Sequence, residues 1–358
     1  MLKKLDWYII KKFLGTFFLC IVLILSIAIV LDLTEKMDMF VEEQVPVKEI
    51  IFSYYCNFVP YYFNMFSQLF IFMSVIFFTS KMAGNSEIIA ILAAGVSYKR
   101  FLLPYMVSAT VLFILCFALS GYIIPGATHK MLSFTDKYIE HFSSEHVRNV
   151  QMELEPGTVL YIESFQRRTN TGYRTFLEHF DSKTLTSRLT AERIKYDGER
   201  HWHFEQYTLR TFDGLKESLQ TGVRLDTILP IEPSELFIFA ENAQEMTNPE
   251  LKSYIAKQQA RGAGNIKPFI TEWWKRWAGP VGAFIMTLLG VTMSSRKVRG
   301  GMGKNLGIGI LLTAAYILFS TVSTTFSVSG VMTPFMAVWL PNIIFLIIAI
   351  FLYIQVRK

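Results

Sequence analysis

Long uncharged runs bounded by charged residues occupy both ends of this 358-residue chain, while its middle alternates polar and β-branched side chains. At about 1.5 Å per residue, a helix needs about 20 apolar residues to cross a hydrocarbon core of roughly 30 Å. Phe13 to Leu31 supplies a first span, entered from Lys3, Lys4, Lys11 and Lys12 and left at Asp32, Glu35, Lys36 and Asp38. It is longer than a signal-peptide core and lacks a small-residue cleavage site. No charge falls between Glu49 and Lys81, so a second span is predicted over Pro60 to Ser80, with Tyr54, Tyr55, Tyr61 and Tyr62 near an interface. The third runs from Phe101 to Ile124, its apolar core ended by Pro125 and Gly126, beyond which the helix can resume. Ala278 to Ser294 makes the fourth, preceded by TEWWKRW at Thr271 to Trp277 as an interfacial anchor. The uncharged run after Lys304 is too long for one helix. Gly330, Pro334 and Pro341 divide it into Asn305–Ser327 and Thr333–Tyr353.

From His129 to Lys267 the texture is that of strands. VLYIES (159–164), 174–180, 187–196, 202–212 and 215–227 read as strands, with Asp197-Gly198 and Asp213-Gly214 as hairpin signals between them. Such a succession favours an antiparallel sandwich or jelly roll. ELKSYIAKQQARG, after Pro249, reads as a short amphipathic helix ending near Gly262. The predicted fold is a membrane α-helical protein of six transmembrane helices in a 3+3 arrangement, with an inserted all-β jelly-roll-like domain. Its divisions are 1–128, 129–267 and 268–358.

Between the second and third spans lies NSEIIAILAAGVSYKR, Asn85 to Arg100. Over 85–96 a short helix is expected, with Ser86 as N-cap, Glu87 in the first turn where the helix dipole favours a negative charge, and Gly95 in the left-handed position that ends it. Anything that pushes such a helix moves both attached spans. Amphipathicity alone favours a surface helix resting in headgroups, and Ile88, Ile89, Ile91 and Leu92 serve either role. Lys and Arg cluster at the termini and in the loops 81–100 and 295–304, which predicts cytoplasmic termini and an external β domain, periplasmic in a bacterium.

Composition narrows the chemistry. The chain is 52% hydrophobic and 18% charged, with 31 Phe, more apolar surface than a soluble fold of this size needs. Its net charge of +6 sits at the ends of apolar runs rather than in a stripe suited to nucleic acid. Cys20, Cys56 and Cys116 have no metal-ligand spacing and suggest no disulfide framework. GGMGKN at Gly300 to Asn305 lacks the spacing and the hydroxyl residue of a phosphate-binding loop. His201 and His203 alternate on a strand and are expected at exposed positions, as are Glu153, Glu155 and Glu163. No ionisable residue stands in the central turns of the spans, against an ion-coupled carrier. No catalytic residue, metal or cofactor is expected, so energy must come from elsewhere, and a permease driven by a separate ATPase fits these absences.

The two three-span halves around a β domain, the segment SEIIAILAAGVS, the strand VLYIES and the run from NPELKSYIAKQQARG through WWKRWAGPVGAFIMTLLG resemble the LptF/LptG permeases of the lipopolysaccharide exporter, over essentially the whole chain. The opening LDWYIIKKFLGTFF and the ending SGVMTPFMAVWLPNIIFLIIAIFLY are more similar to LptG than to LptF. The resemblance implies a bacterial inner-membrane permease, paired with its LptF/LptG paralogue and driven by a dimer of an LptB-like ATPase. It would extract lipopolysaccharide and pass it to LptC- and LptA-like periplasmic proteins. By position, Ser86, Glu87, Ile88, Ala90, Ile91 and Gly95 match the coupling helix, with Glu87 the charged contact to the ATPase. The outer end of the first span matches a region of lipid-phosphate contacts, for which Lys36 and Lys48 are available, with Lys130 and Lys137 weaker candidates. Phe17, Phe18, Ile21, Ile24, Phe319 and Phe326 of the first and fifth spans are expected to wall a cavity for acyl chains. Each buried methylene is worth about 0.8 kcal/mol, so a groove must replace the bilayer, and Val159, Tyr161, Leu189, Phe204 and Leu225 are expected to line it. Two other readings stand beside this one: a permease for another lipid or a lipoprotein, and a membrane sensor or assembly platform.

Overall fold

Each predicted span is a helix, and each helix outruns its apolar stretch. The structure, a computed structural model, describes residues 3–138, 146–182, 184–214, 216–238, 240–261, 266–295 and 301–357. Among these, six helices are long and apolar enough to cross a membrane: α1 (Lys4–Glu42), α2 (Val47–Gly84), α4 (Tyr98–Tyr138), α6 (Lys267–Ser294), α7 (Gly301–Val328) and α8 (Pro334–Arg357). Short helices α3 (Glu87–Ala93) and α5 (Asn248–Arg261) complete the helical set used below. TEWWKRW is not a segment ahead of its span but forms early turns of α6. Gly262 and Arg296, Lys297 and Arg299 of the expected basic loop lie outside the described residues, whereas Lys304 is within α7.

Proline does not end α4. The helix passes through Pro125 and Gly126, and the turn ahead of them, Leu119–Ile123, is wound as a π-helix. The wider turn shifts the hydrogen-bond ladder where proline withholds a donor. Ahead of Pro60 in α2, Ile50–Tyr55 does the same, and Asn57 Nδ2 donates to the carbonyls of Phe52 and Ser53 at 3.1 and 2.8 Å. α1 contains no proline and is α-helical throughout.

The chain divides into two units, Met1–Met131 with Ile270–Lys358, and Leu132–Phe269. In the helical unit, α2 and α6 are the inner spans, with 67% of the most apolar 18-residue window buried in each, against 11% for α1 and 22% for α7. Gly290 of α6 lets Val75 of α2 approach so closely that an added Cβ would lie 2.8 Å from Val75 Cγ1. Where lipid offers no hydrophobic drive between helices, such close approach and interhelical hydrogen bonds hold them together. Asn342 donates to the Ala278 carbonyl at 2.9 Å and accepts from Tyr316 at 2.8 Å; Gln68 donates to the Gly279 carbonyl at 2.5 Å.

The other unit carries one antiparallel sheet of six strands: β1 (His146–Glu155), β2 (Thr158–Gln166), β3 (Thr171–Asp181), β4 (Thr184–Gly198), β5 (His201–Asp213) and β6 (Lys216–Ile228). The jelly-roll-like expectation is met in its antiparallel, all-β character. Its connectivity is simpler, an uninterrupted meander in the order β1 to β6. Between β4 and β5 the tight turn is Glu199-Arg200, both at positive φ (49° and 65°), directly after the predicted Asp197-Gly198. Two successive left-handed residues are what a two-residue hairpin loop demands.

A transverse seam crosses this sheet. Asn149, Glu163, Arg174, Glu192, Gln206 and Val223, one from each strand, drop out of the pairing while the residues on both sides of each stay in register. Three of them, Asn149, Arg174 and Gln206 on alternate strands, have positive φ. Across the seam, buried positions step by three instead of two: Ile162 then Phe165, Ala191 then Ile194, Phe204 then Tyr207. The inversion keeps one apolar face continuous along strands whose strict alternation would otherwise carry it to the opposite side. Leu189 and Phe204 lie on that face and Leu225 packs against it. Val159 and Tyr161 do not, because they alternate with the buried Leu160 and stand on the other face. Beneath the sheet's end, the buried Trp202 donates its indole N–H to the Ile231 carbonyl at 3.1 Å.

Candidate functional site

The loop between α2 and α4 folds as expected at its end and differently at its start. Gly95 takes φ +85° and its N–H donates to the Leu92 carbonyl at 3.0 Å, closing α3. Ser86 is not a side-chain cap. It sits at φ 62° and makes no capping hydrogen bond, so α3 starts from a left-handed residue. Glu87 accepts instead from Asn85 Nδ2 and from the Tyr8 hydroxyl of α1, each at 3.2 Å. Ser97 caps the next helix, its Oγ accepting from the Arg100 N–H at 3.3 Å. Ile88 is buried and Ile91 packs on the core of the helical unit, which fixes the inner face of α3. Ala90 is exposed with Ile89, Leu92 and Ala93, forming an outward apolar strip.

At the other end of α1, Lys36 is committed within the chain. Its ammonium lies 2.9 Å from Asp32 Oδ1, hydrogen-bonds the Tyr54 hydroxyl and stands 4.6 Å from that ring's centroid. Tyr54 and Tyr55 both donate to Asp32, at 3.1 and 3.2 Å. Lys48, just inside α2, is exposed. The expected cavity wall is placed unevenly. Phe18 and Phe326 are outward, 53% and 46% exposed. Phe319, Ile21 and Ile24 are half-buried, and the latter two pack on the core. Phe17 is fully buried, edge-on to Phe63 of α2 with ring centroids 6.2 Å apart, so it is a packing residue between α1 and α2 rather than a wall.

His203 departs from its expected exposure. It is buried, with Nδ1 2.5 Å from Asp197 Oδ2 and Nε2 3.4 Å from Glu205 Oε1, while His201 is exposed. Asp197 of β4 and Asp226 of β6 lie beside it from the neighbouring strands, and Glu205 from its own strand two residues on. His203, Asp197 and Asp226 offer three possible ligand atoms within 4.8 Å of one another. Arg224 already bridges the two aspartates, 2.8 Å from Asp226 and 3.5 Å from Asp197, and its hydrogen bond holds the Asp226 carboxyl below the usual range. The arrangement is an ion-pair network. Glu163 pairs with Arg174 at 3.0 Å and Glu153 accepts from the Gly157 N–H at 2.9 Å, each with a local partner of its own.

A cavity of about 540 Å³ opens along β1, bounded also by Leu236, Tyr254 and Phe269. Six consecutive residues, Arg148 to Glu153, line it. Side chains of a strand alternate between faces, so a cavity reached by six in a row lies along the strand's edge. Among the described residues β1 pairs only with β2, and this is its other edge. Glu235 borders the cavity, bound by Arg261 at 2.6 Å and Lys257 at 2.9 Å. Burial opposes its charge, but the hydrogen bonds and the positive charges of Arg261 and Lys257 together outweigh burial and hold its carboxyl below the usual range.

The family model described as lipopolysaccharide export system permease LptF/LptG matches residues 7–355. No curated protein matches the chain.

Proposed function

The chain belongs to the LptF/LptG family of lipopolysaccharide export system permeases, and from that premise we propose that it is the LptG-type permease subunit of an ATP-driven exporter in the bacterial inner membrane. A separate LptB-like ATPase dimer docks on α3. The LptF-type paralogue completes the membrane cavity, and LptC- and LptA-like proteins take the lipopolysaccharide onward. Both termini are cytoplasmic and the β unit is periplasmic.

The observation that carries this reading is α3. Its inner face is fixed by Ile88 and Ile91, whereas Ile89, Ala90, Leu92 and Ala93 leave an apolar strip uncovered beside Glu87. A helix so seated transmits a push because it cannot roll independently of the bundle. The low internal burial of α1 and α7 supports their part as cavity walls, since apolar surface left uncovered within the chain is available to acyl chains or the paralogue. Lys36 is occupied by Asp32, so Lys48 is the more accessible cation for a lipid phosphate. The free edge of β1 suits addition of a strand from a partner domain.

The test is co-purification from native membranes of wild type and Glu87→Arg, with bound proteins and lipids identified by mass. An ABC-type ATPase and lipopolysaccharide accompany the wild type, and the variant loses the ATPase. A wild-type complex without any ATPase, in conditions that preserve membrane assemblies, overturns the driven-permease reading.

A further inference from the structure

Chain continuity joins α3 to α2 and α4. The structure adds a third attachment, to α1. Asp6, in the first turn of α1, is only 2% exposed, and it receives both arms of Arg100: Nη1 to Oδ1 at 2.7 Å and Nη2 to Oδ2 at 2.6 Å. The Lys3 N–H also donates to Asp6 Oδ2 at 2.6 Å, which fixes the carboxylate against its own helix. Half a turn on, Tyr8 donates to Glu87 of α3 at 3.2 Å. Beside these polar contacts, Ile9 and Phe13 of α1 share one apolar cluster with Ile88 of α3 and with Phe101 and Tyr105 of α4. The beginning of α1, the whole of α3 and the beginning of α4 therefore form one block.

We propose that Asp6 and Arg100 are positioning residues that clamp α1 to the α3 block, so that displacement of α3 is delivered to α1 and the wall it forms. This rests on the driven-permease reading above. Three properties carry it. The bidentate guanidinium–carboxylate geometry resists both sliding and rotation, which a single point charge does not. The carboxylate is almost wholly withdrawn from solvent, so water offers it little substitute for Arg100. Finally, α1 is the rigid member of its half: it is regular α-helix from Lys4 to Glu42, whereas α2 and α4 contain π turns at Ile50–Tyr55 and Leu119–Ile123. At 1.5 Å per residue α1 is a rod of about 58 Å. A tilt imposed at its base is carried along the rod to its far end, where Asp32 and Lys36 are bonded to Tyr54 and Tyr55 of α2.

The test uses the assembled complex with its ATPase in lipid nanodiscs, following ATP hydrolysis and lipopolysaccharide release to an acceptor together. Asp6→Asn keeps the shape and removes the charge; the double variant Asp6→Arg with Arg100→Asp restores an ion pair in reverse. The expected result is hydrolysis near the wild-type rate in Asp6→Asn, release per ATP reduced about tenfold, the scale of a typical coupling free energy, and recovery of most of that loss in the double variant. A merely destabilised subunit lowers hydrolysis and release in proportion and leaves their ratio unchanged. An unchanged ratio in Asp6→Asn, or a double variant no better coupled than the single one, overturns the clamp. Should Asp6→Asn not assemble, Arg100→Lys, which keeps the charge and loses the fork, is read the same way. A wild-type complex that neither binds the ATPase nor releases lipid instead defeats the driven-permease reading, before the clamp is reached.

Discussion

Replacing Trp202 of β5 by Phe tests what ties the sheet to the segment that follows it. Trp202 is 1% exposed, its indole N–H is bonded to the Ile231 carbonyl at 3.1 Å, and Tyr196 and Phe165 lie against it at centroid distances of 4.9 and 6.1 Å. Phe keeps a ring but cannot donate, and Ile231 is fully buried, so its carbonyl is left without its indole donor. Such an orphaned acceptor costs about 1–3 kcal/mol. The smaller ring adds a cavity term, bringing the total to about 2–4 kcal/mol. Trp202→Ala, with the whole ring removed, lies higher, at about 4–6 kcal/mol. At a factor of ten for each 1.4 kcal/mol, Trp202→Phe accelerates amide hydrogen exchange in β2 to β5 by about thirtyfold to several hundredfold. The measurement is exchange followed by mass spectrometry on the full chain in detergent, with α2 and α6 as internal references and Leu219→Ala, at a 63% exposed site, as control. Exchange in Trp202→Phe within twofold of wild type refutes the tie. Equal acceleration in α2 and α6 refutes its assignment to the β unit.

The Glu235 cluster gives a pH signature. Its carboxyl is held below the ordinary value of 4.5 in the folded chain, so the pair's stabilisation is present above that value and is lost as pH falls through the lower folded one. The difference in Tm of the β unit between wild type and Glu235→Gln is expected to be largest near neutral pH and to shrink as pH drops below about 4.5; a difference that persists unchanged at low pH contradicts the assignment. Orientation is tested by single cysteines in a background lacking Cys20, Cys56 and Cys116. Lys48→Cys reacts with an impermeant maleimide in intact spheroplasts and Lys304→Cys reacts only after permeabilisation, and the reverse order would invert the topology.

The spans were legible because each is announced by twenty or so uncharged residues, and a helix in lipid needs no further signal. Their true ends were not, because Lys4 to Lys12 and Asp32 to Glu42 continue α1 as helix without continuing its apolar run. Pro125 ends the apolar run in sequence but not the helix; a π turn a few residues earlier absorbs it, and no composition signal marks that turn. Strand β1 went unread since HVRNVQMELE is polar and breaks alternation at Asn149, the residue that lies on the seam. At the site, Glu87 and Gly95 stand where their residue types direct, while Ser86 does not cap. The Asp6–Arg100 pair joins positions 94 apart, and the carboxylates around His203 come from three strands. The first has no local signature, because its partners meet only through packing; around His203, Glu205 is two residues on and Asp197 six residues back across a hairpin, and Asp226 needs the pairing of β5 with β6.

The meander has a consequence for how the protein is made. Each strand of the sheet after the first takes its partner from the strand synthesised just before it, so hairpins can close in the order in which they are synthesised, with no early edge held open for a late strand. Local pairing of this kind forms quickly and leaves little unpaired backbone exposed to aggregation. While the last three spans are still on the ribosome, the sheet can already be complete. What waits is the set of contacts to chain beyond the sixth strand, the bond from Trp202 to Ile231 and the packing of Phe237 on Phe165 among them.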